Sequence, residues 1–196
     1  MSIKKLVTAV FVIGAMTFTQ AQGLSFGVFG GVSKPYDEEA NDWNLGFNVG
    51  GNGFLMLNPN LGIGLGVVYN RWSPDEDTWL GIAEDVSGGE VDGAANVTEI
   101  YPAVRLNTAF EFRPVNFFGE AGVGLQINRS EVDIDAINFS QSIEDNQFFT
   151  KLSAGVQIGN IDNITLDIFP TYHLAFPLDE AVGFFTVNAG VTFRFI

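Results

Sequence analysis

Cysteine is absent from this 196-residue chain, which excludes disulfide staples, a lipid-modified cysteine anchor and thiolate metal sites. Histidine occurs once, so any imidazole chemistry rests on His173. Basic residues are scarce, with 9 Lys and Arg against 23 Asp and Glu and a net charge of −14. Such a chain lacks the cationic surface that a phosphate backbone requires, so nucleic acid is excluded as a partner. It also lacks any run of the roughly 20 apolar residues that a spanning helix needs. Residence in a membrane would therefore require a closed β-barrel, the other structure that satisfies every backbone polar group in hydrocarbon.

The one compact apolar run lies at the start. Lys4 and Lys5 form a basic beginning, Leu6 to Phe18 an apolar stretch, and Thr19-Gln20-Ala21 presents small residues to a signal peptidase. Residues 1–21 are expected to be a cleaved signal peptide, and residues 22–196 a single barrel domain whose first residue is Gln22.

What the chain has in quantity is glycine (23) and phenylalanine (19), set in rows of period two. At the C-terminus Phe185, Val187, Ala189, Val191, Phe193 and Phe195 form one row, and Thr186, Asn188, Gly190, Thr192 and Arg194 the other. A strand sends alternate side chains to opposite faces, so one face is greasy and the other small or polar. Seven earlier stretches repeat the pattern. Leu24, Phe26 and Val28 oppose Ser25 and Gly27; Leu61, Ile63, Leu65 and Val67 oppose Gly62, Gly64 and Gly66. Similar rows run through Phe47, Ile100, Ala121, Leu152 and Ile168. Each stretch is near the 9–11 residues that a tilted strand needs to cross a bilayer.

The connections alternate. Lys34–Asp42, Ser73–Asn96, Arg129–Asn146 and Phe176–Gly183 are long and carry most of the acids, whereas Leu57–Asn60, Glu111–Val115 and Gly159–Asn163 are tight. The pattern predicts an all-β fold: a transmembrane up-and-down antiparallel β-barrel of eight strands, with short turns and both termini periplasmic and long loops outside. A soluble barrel with its apolar row inside has the same period. The polar row decides against it, because Gly, Ser, Asn and Thr predominate where a solvated face would carry Lys and Glu. The apolar row has no mid-strand Lys, Asp or Glu, as lipid contact demands. Trp43, Tyr69, Trp72, Phe110, Phe117, Phe193 and Phe195 fall near strand ends and are expected in interfacial girdles.

The inward charges Glu99, Arg105, Glu120, Lys151, Asp167 and Arg194 are the candidate lumen network. Arg105 and Glu120 straddle a turn almost symmetrically, which would set them side by side, and Asp167 and Arg194 could meet near the periplasmic end. An eight-stranded barrel is just wide enough for side chains to fill it, so these charges are expected to form a plug, with an ion pathway as the alternative. His173 is expected to be a hydrogen-bonded lumen residue. Asp75, Asp77, Asp133 and Asp135 offer oxygen ligands to a divalent cation but fit no calcium-loop spacing, so solvated loops are the expectation and no metal or other cofactor is assigned.

The ending Gly190, Phe193 and Phe195 resembles the terminal strand of bacterial outer-membrane barrels, where a Gly-x-x-aromatic-x-aromatic sequence is the barrel-assembly signal. Here Ile196 follows the last aromatic, whereas the family usually ends on it. The whole mature chain resembles the small eight-stranded barrels typified by OmpX and the membrane part of OmpA, and the compact outer-membrane β-barrel domain proteins of Bacteroidetes, including PorT-like members. That resemblance implies a monomer in the bacterial outer membrane. Its implied partners are lipid and lipopolysaccharide, the barrel-assembly machinery and, through the loops, envelope or secretion proteins. A structural or interaction role is expected, with a narrow OmpW-like channel for small or hydrophobic solutes as the alternative. A lipid-modifying enzyme is the third reading. The lipid A deacylases pair a histidine with a serine two residues later, but Ala175 stands in that place, and the chain is expected not to be an enzyme.

Overall fold

The computed structural model describes residues 23–36, 42–75, 78–79, 91–108, 115–134, 139–161, 163–176 and 183–195. The expected signal peptide, Asp77, Phe110 and Asp135 lie outside these residues. Eight strands run in chain order: β1 (Gly23–Pro35), β2 (Gly46–Asn58), β3 (Leu61–Trp72), β4 (Val91–Asn107), β5 (Val115–Ile134), β6 (Phe139–Ile161), β7 (Ile164–Phe176) and β8 (Gly183–Phe195). Every strand pairs antiparallel with its sequence neighbours, and β1 pairs with β8 from Leu24↔Phe195 to Pro35↔Phe184. Within the eight-stranded ring closure leaves no sheet edge, so the backbone donors and acceptors there are paired within the wall.

Turn chemistry sets the registers at the short-turn end. Asn58 Oδ1 accepts from the backbone N–H groups of Asn60 and Leu61, each at 2.9 Å, and so closes the β2–β3 turn. Between β6 and β7 the chain uses Gly159 at φ 81° and Asn163 at φ 66°. Both values lie in the left-handed region, which glycine adopts without strain and asparagine tolerates.

The period-two rows resolve as expected into an apolar outer wall. Leu65, Val123 and Leu152 are 67%, 57% and 63% exposed on the single chain, exposure that hydrocarbon covers in a bilayer. The inner face differs in kind from the small polar row expected of it. Phe29, Phe54, Phe118, Phe149 and Phe169 point inward and join Tyr101 in a buried cluster. Glycines on neighbouring strands make room for these rings. A Cβ at position 66 would stand 2.3 Å from Tyr101 Cζ, and one at position 155 would stand 2.5 Å from Phe169 Cβ.

Of the expected loops, Arg129–Asn146 is strand over residues 129–134 and 139–146, and Ser73–Asn96 becomes strand from Val91 onward. β4 begins at Val91 and pairs there with Ile134 of β5, while β5 and β6 stay paired up to Ile134↔Phe139. These strands are 17, 20 and 23 residues long, against 13 for β1, β2, β7 and β8. They rise beyond the barrel as a three-stranded extension. Asp92, Glu131 and Asp133 hide the pattern by their charge; they alternate with the buried Val91, Val132 and Ile134 and give a wet outer face with a dry inner one.

Candidate functional site in the lumen and its mouth

Adjacent strands β4 and β5 set Arg105 directly opposite Glu120. Arg105 donates to Glu120 Oε2 from Nη2 at 2.8 Å and from Nε at 3.1 Å. Its guanidinium lies over the rings of Phe54 and Phe118, 4.4 and 4.6 Å from their centroids. Lys151 Nζ stands 3.0 Å from the second oxygen of Glu120 and donates to Tyr101 Oη at 2.7 Å. Arg105 Nη1 also reaches Asp167 Oδ2 at 3.8 Å. Asp167 in turn accepts from Gln157, Thr165 and Thr192.

Arg194 reaches this network differently from the expected Asp167 pairing. Its Nη2 donates to Gln157 Oε1 at 2.5 Å, and the same glutamine donates to Asp167. Gln157 therefore links the two charges. Nearer the mouth, His173 Nδ1 lies 2.9 Å from Glu99 Oε1, and Nε2 faces Thr186 Oγ1 at 3.5 Å. The imidazole stacks on Phe184 at 4.2 Å, and Phe184 packs edge-on to Trp72 at 5.1 Å. An acid, an imidazole and a hydroxyl thus stand in a row, sealed beneath two aromatic rings.

Taken together, Arg105, Lys151 and Arg194 match the carboxylates Glu99, Glu120 and Asp167 in number. Burial of an unpaired ion costs several kcal/mol, so balanced charge is the condition for tolerating so many in a closed lumen. The space between Gly27, Asn52, Arg105 and Asp167 is too small for a water molecule.

Above this plug the character changes. Trp43, Trp72, Val97, Val132 and Phe184 form a second buried cluster, with Trp79 packed against it. Trp72 Nε1 donates to the carbonyl of Ser33 at 3.1 Å, and Trp79 Nε1 donates to that of Asp42 at 2.9 Å. Trp43 and Trp72 are only 8% and 2% exposed, which corrects their expected place in an outer girdle. Trp72 has the inward parity of Asn70, and Trp43 folds over the mouth through a bridge to Pro74. Phe117, Phe193, Phe195 and Tyr69 do lie on the outer wall. Between the extension and this tryptophan cluster is a cavity of about 320 Å³, lined also by Asn128, Ile143, Asp145 and Gln147.

Residues 18–192 match the family described as outer membrane protein beta-barrel domain. The chain belongs to this family. Its place is therefore the bacterial outer membrane. Among solved barrels, a major outer membrane protein of Thermus thermophilus is 14% identical, with 88% of this chain and 99% of that one covered and a TM-score of 0.61. The Neisserial surface protein NspA is 15% identical over 88% and 97% of the two chains, with a TM-score of 0.57. OprG of Pseudomonas aeruginosa is 10% identical over 90% and 97%, with a TM-score of 0.52. At these identities the likeness is one of fold. No curated protein matches by sequence.

Within this outer membrane barrel, the remaining candidates fall as follows. Phe193 and Phe195 are exposed on the outer wall, and Gly190 lies inward, opposite Phe29 of β1 and Asp167 of β7. Asp75 accepts from the backbone and hydroxyl of Thr78, each at 3.1 Å, while Asp133 stands on the outer face of the extension. Among the described residues no three acidic or histidine side chains converge as a metal site. The lumen phenylalanines stand outside the set of residues expected in the lumen. Their parity marked them, since Phe54 follows Asn52 by two and Phe169 follows Asp167 by two.

Proposed function

We propose that the protein is a plugged integral barrel with a structural or interaction role in the cell envelope, presenting the β4–β6 extension and acidic loops outside the cell. The observation that carries this reading is the filled lumen, where the Arg105–Glu120–Lys151 pairs and the stacked Phe54 and Phe118 occupy the path that a solute would take. Its partners on this reading are outer-membrane lipid and lipopolysaccharide, the assembly machinery acting on Gly190, Phe193 and Phe195, and envelope or secretion proteins at the extension. The barrel acts as a monomer.

The Glu99–His173–Thr186 row has a structural role on this reading, because Phe184 and Trp72 cover it and leave no approach for a substrate. We accordingly read the chain as non-enzymatic. The tryptophan-lined cavity at the mouth favours a second reading, passage or binding of a small hydrophobic solute. Planar-bilayer recording separates the two. The plug predicts no steady conductance from the wild-type protein or from Arg105→Ala; a large, stable pore in the wild type would overturn it.

A further inference from the structure

The chain is poor in cations, and their placement is uneven. Among the described residues Arg105, Lys151 and Arg194 serve the lumen, and Lys34 donates to the carbonyl of Trp43. Arg71 and Arg129 are exposed on the outer wall. They stand together. The register pairs Arg71 of β3 with Asn96 of β4, and Asn96 with Arg129 of β5. Two guanidinium groups thus flank one amide in a single cross-strand row.

The row directly below is Tyr69, Thr98 and Ile127, and the two rows enclose an outer-wall cleft of about 400 Å³. Tyr69 Oη donates to Asn96 Oδ1 at 2.6 Å, which occupies the amide's acceptor and leaves its N–H groups as donors. Beneath lie rows with nothing charged, Val67–Ile100–Leu125 and then Leu65–Pro102, with the exposed Val123 two residues below Leu125 on the same face. From Leu61 to Tyr69 the strand covers about 27 Å, or about 21 Å of membrane depth at a tilt of about 40°, close to the apolar height of such barrels. The arginines therefore stand at headgroup level on the loop side, immediately above the acyl chains. Farther out on the same face are Glu131 and Asp133, so positive charge is confined to one narrow band.

We propose that Arg71, Asn96 and Arg129 bind the phosphate of a phosphorylated outer-leaflet lipid, whose acyl chains lie along the apolar rows of β3–β5. A free anion would use the arginines alone. The continuous apolar wall below them, with Tyr69 and Thr98 at the boundary, is what favours a lipid. Arg71 has no side-chain partner among the described residues. Arg129 is shared with Glu144 at 3.1 Å, but both side chains are largely exposed, at 68% and 60%. Such a pair is held weakly in water, and a phosphate carrying more negative charge competes with it effectively.

The test uses the mature barrel in phosphatidylcholine nanodiscs doped with diphosphoryl lipid A, reading retained lipid by native mass spectrometry after detergent exchange. Each arginine near a charged bilayer surface is worth roughly a five-fold preference. Arg71→Gln should therefore weaken retention about five-fold and Arg71→Gln/Arg129→Gln about thirty-fold, with the heat-modifiable gel mobility of a folded barrel unchanged. Equal retention by wild type and double variant would overturn the assignment. Release of lipid A by millimolar inorganic phosphate would overturn it too, by marking the cleft as a free-anion site. If the double variant loses the folded mobility, Arg71→Gln decides, because Arg71 supports no other side chain among the described residues. This result is separable from the lumen reading, since a conducting barrel could still hold the lipid.

Discussion

The barrel contains the same ion pair twice. Arg105 and Glu120 are direct cross-strand neighbours on β4 and β5, and Arg129 and Glu144 are direct cross-strand neighbours on β5 and β6. Their closest contacts are nearly equal, at 2.8 and 3.1 Å. Their surroundings are opposite. The first pair has side chains only 4% and 2% exposed, with two phenyl rings against the guanidinium and contacts shared with Lys151 and Asp167. The second has side chains 68% and 60% exposed on the outer face of the extension. Chemistry and register are held constant, so the pairs isolate what surroundings do to an ion pair: in the lumen neither charge has water to fall back on, while outside both do.

That contrast can be broken by experiment. The largest effect is expected from Arg105→Ala, which leaves Glu120 and Asp167 short of a buried cation. The loss should be about 3–5 kcal/mol, read as a lowered urea midpoint in lipid vesicles followed by tryptophan fluorescence. A change no larger than that of an exposed pair would show that the lumen is wet and the plug loose. Next in size is Gly66→Ala. Its Cβ would meet the Tyr101 ring at 2.3 Å and push the hydroxyl from Lys151, and overpacking of this kind costs about 1–3 kcal/mol. The same unfolding measurement reads it; wild-type stability would mean that Tyr101 has somewhere else to go. Glu144→Ala should come last, within about 0–1 kcal/mol. Because it releases Arg129, it should also strengthen lipid A retention in the nanodisc assay, a gain that a purely structural ion pair would not produce.

The legibility of these features from sequence follows one rule. Wherever facing was decided by parity along a strand, the reading from Leu24 to Phe195 holds, including the juxtaposition of Arg105 and Glu120 across the β4–β5 connection. Wherever two elements distant in sequence meet, it runs short. Gln157 between Asp167 and Arg194, Glu99 against His173, and Phe184 beneath Trp72 all depend on which strand lies across the lumen. Trp43 and Trp72 were misplaced for a related reason. An aromatic near a strand end suits an interfacial girdle and a mouth plug equally well by composition; the inward parity shared with Asn70 separates the two for Trp72, and only the fold of the chain over the mouth does so for Trp43. The β4–β6 extension is hidden in the sequence because dense charge suits a loop, whereas a strand standing in water carries charge on one face as a matter of course.

By itself, then, the chain determined that its strands are two-faced, that lipid wets one face, and how many times the polypeptide crosses. Period-two alternation is a local property, and closure follows because hydrocarbon tolerates no open edge. Three-dimensional packing alone decided which inward rings and charges meet across the lumen, that three tryptophans gather over the mouth, and that Arg71 and Arg129 share one outer row. Those outcomes depend on register around the ring, and each is settled by contacts between strands far apart in the chain.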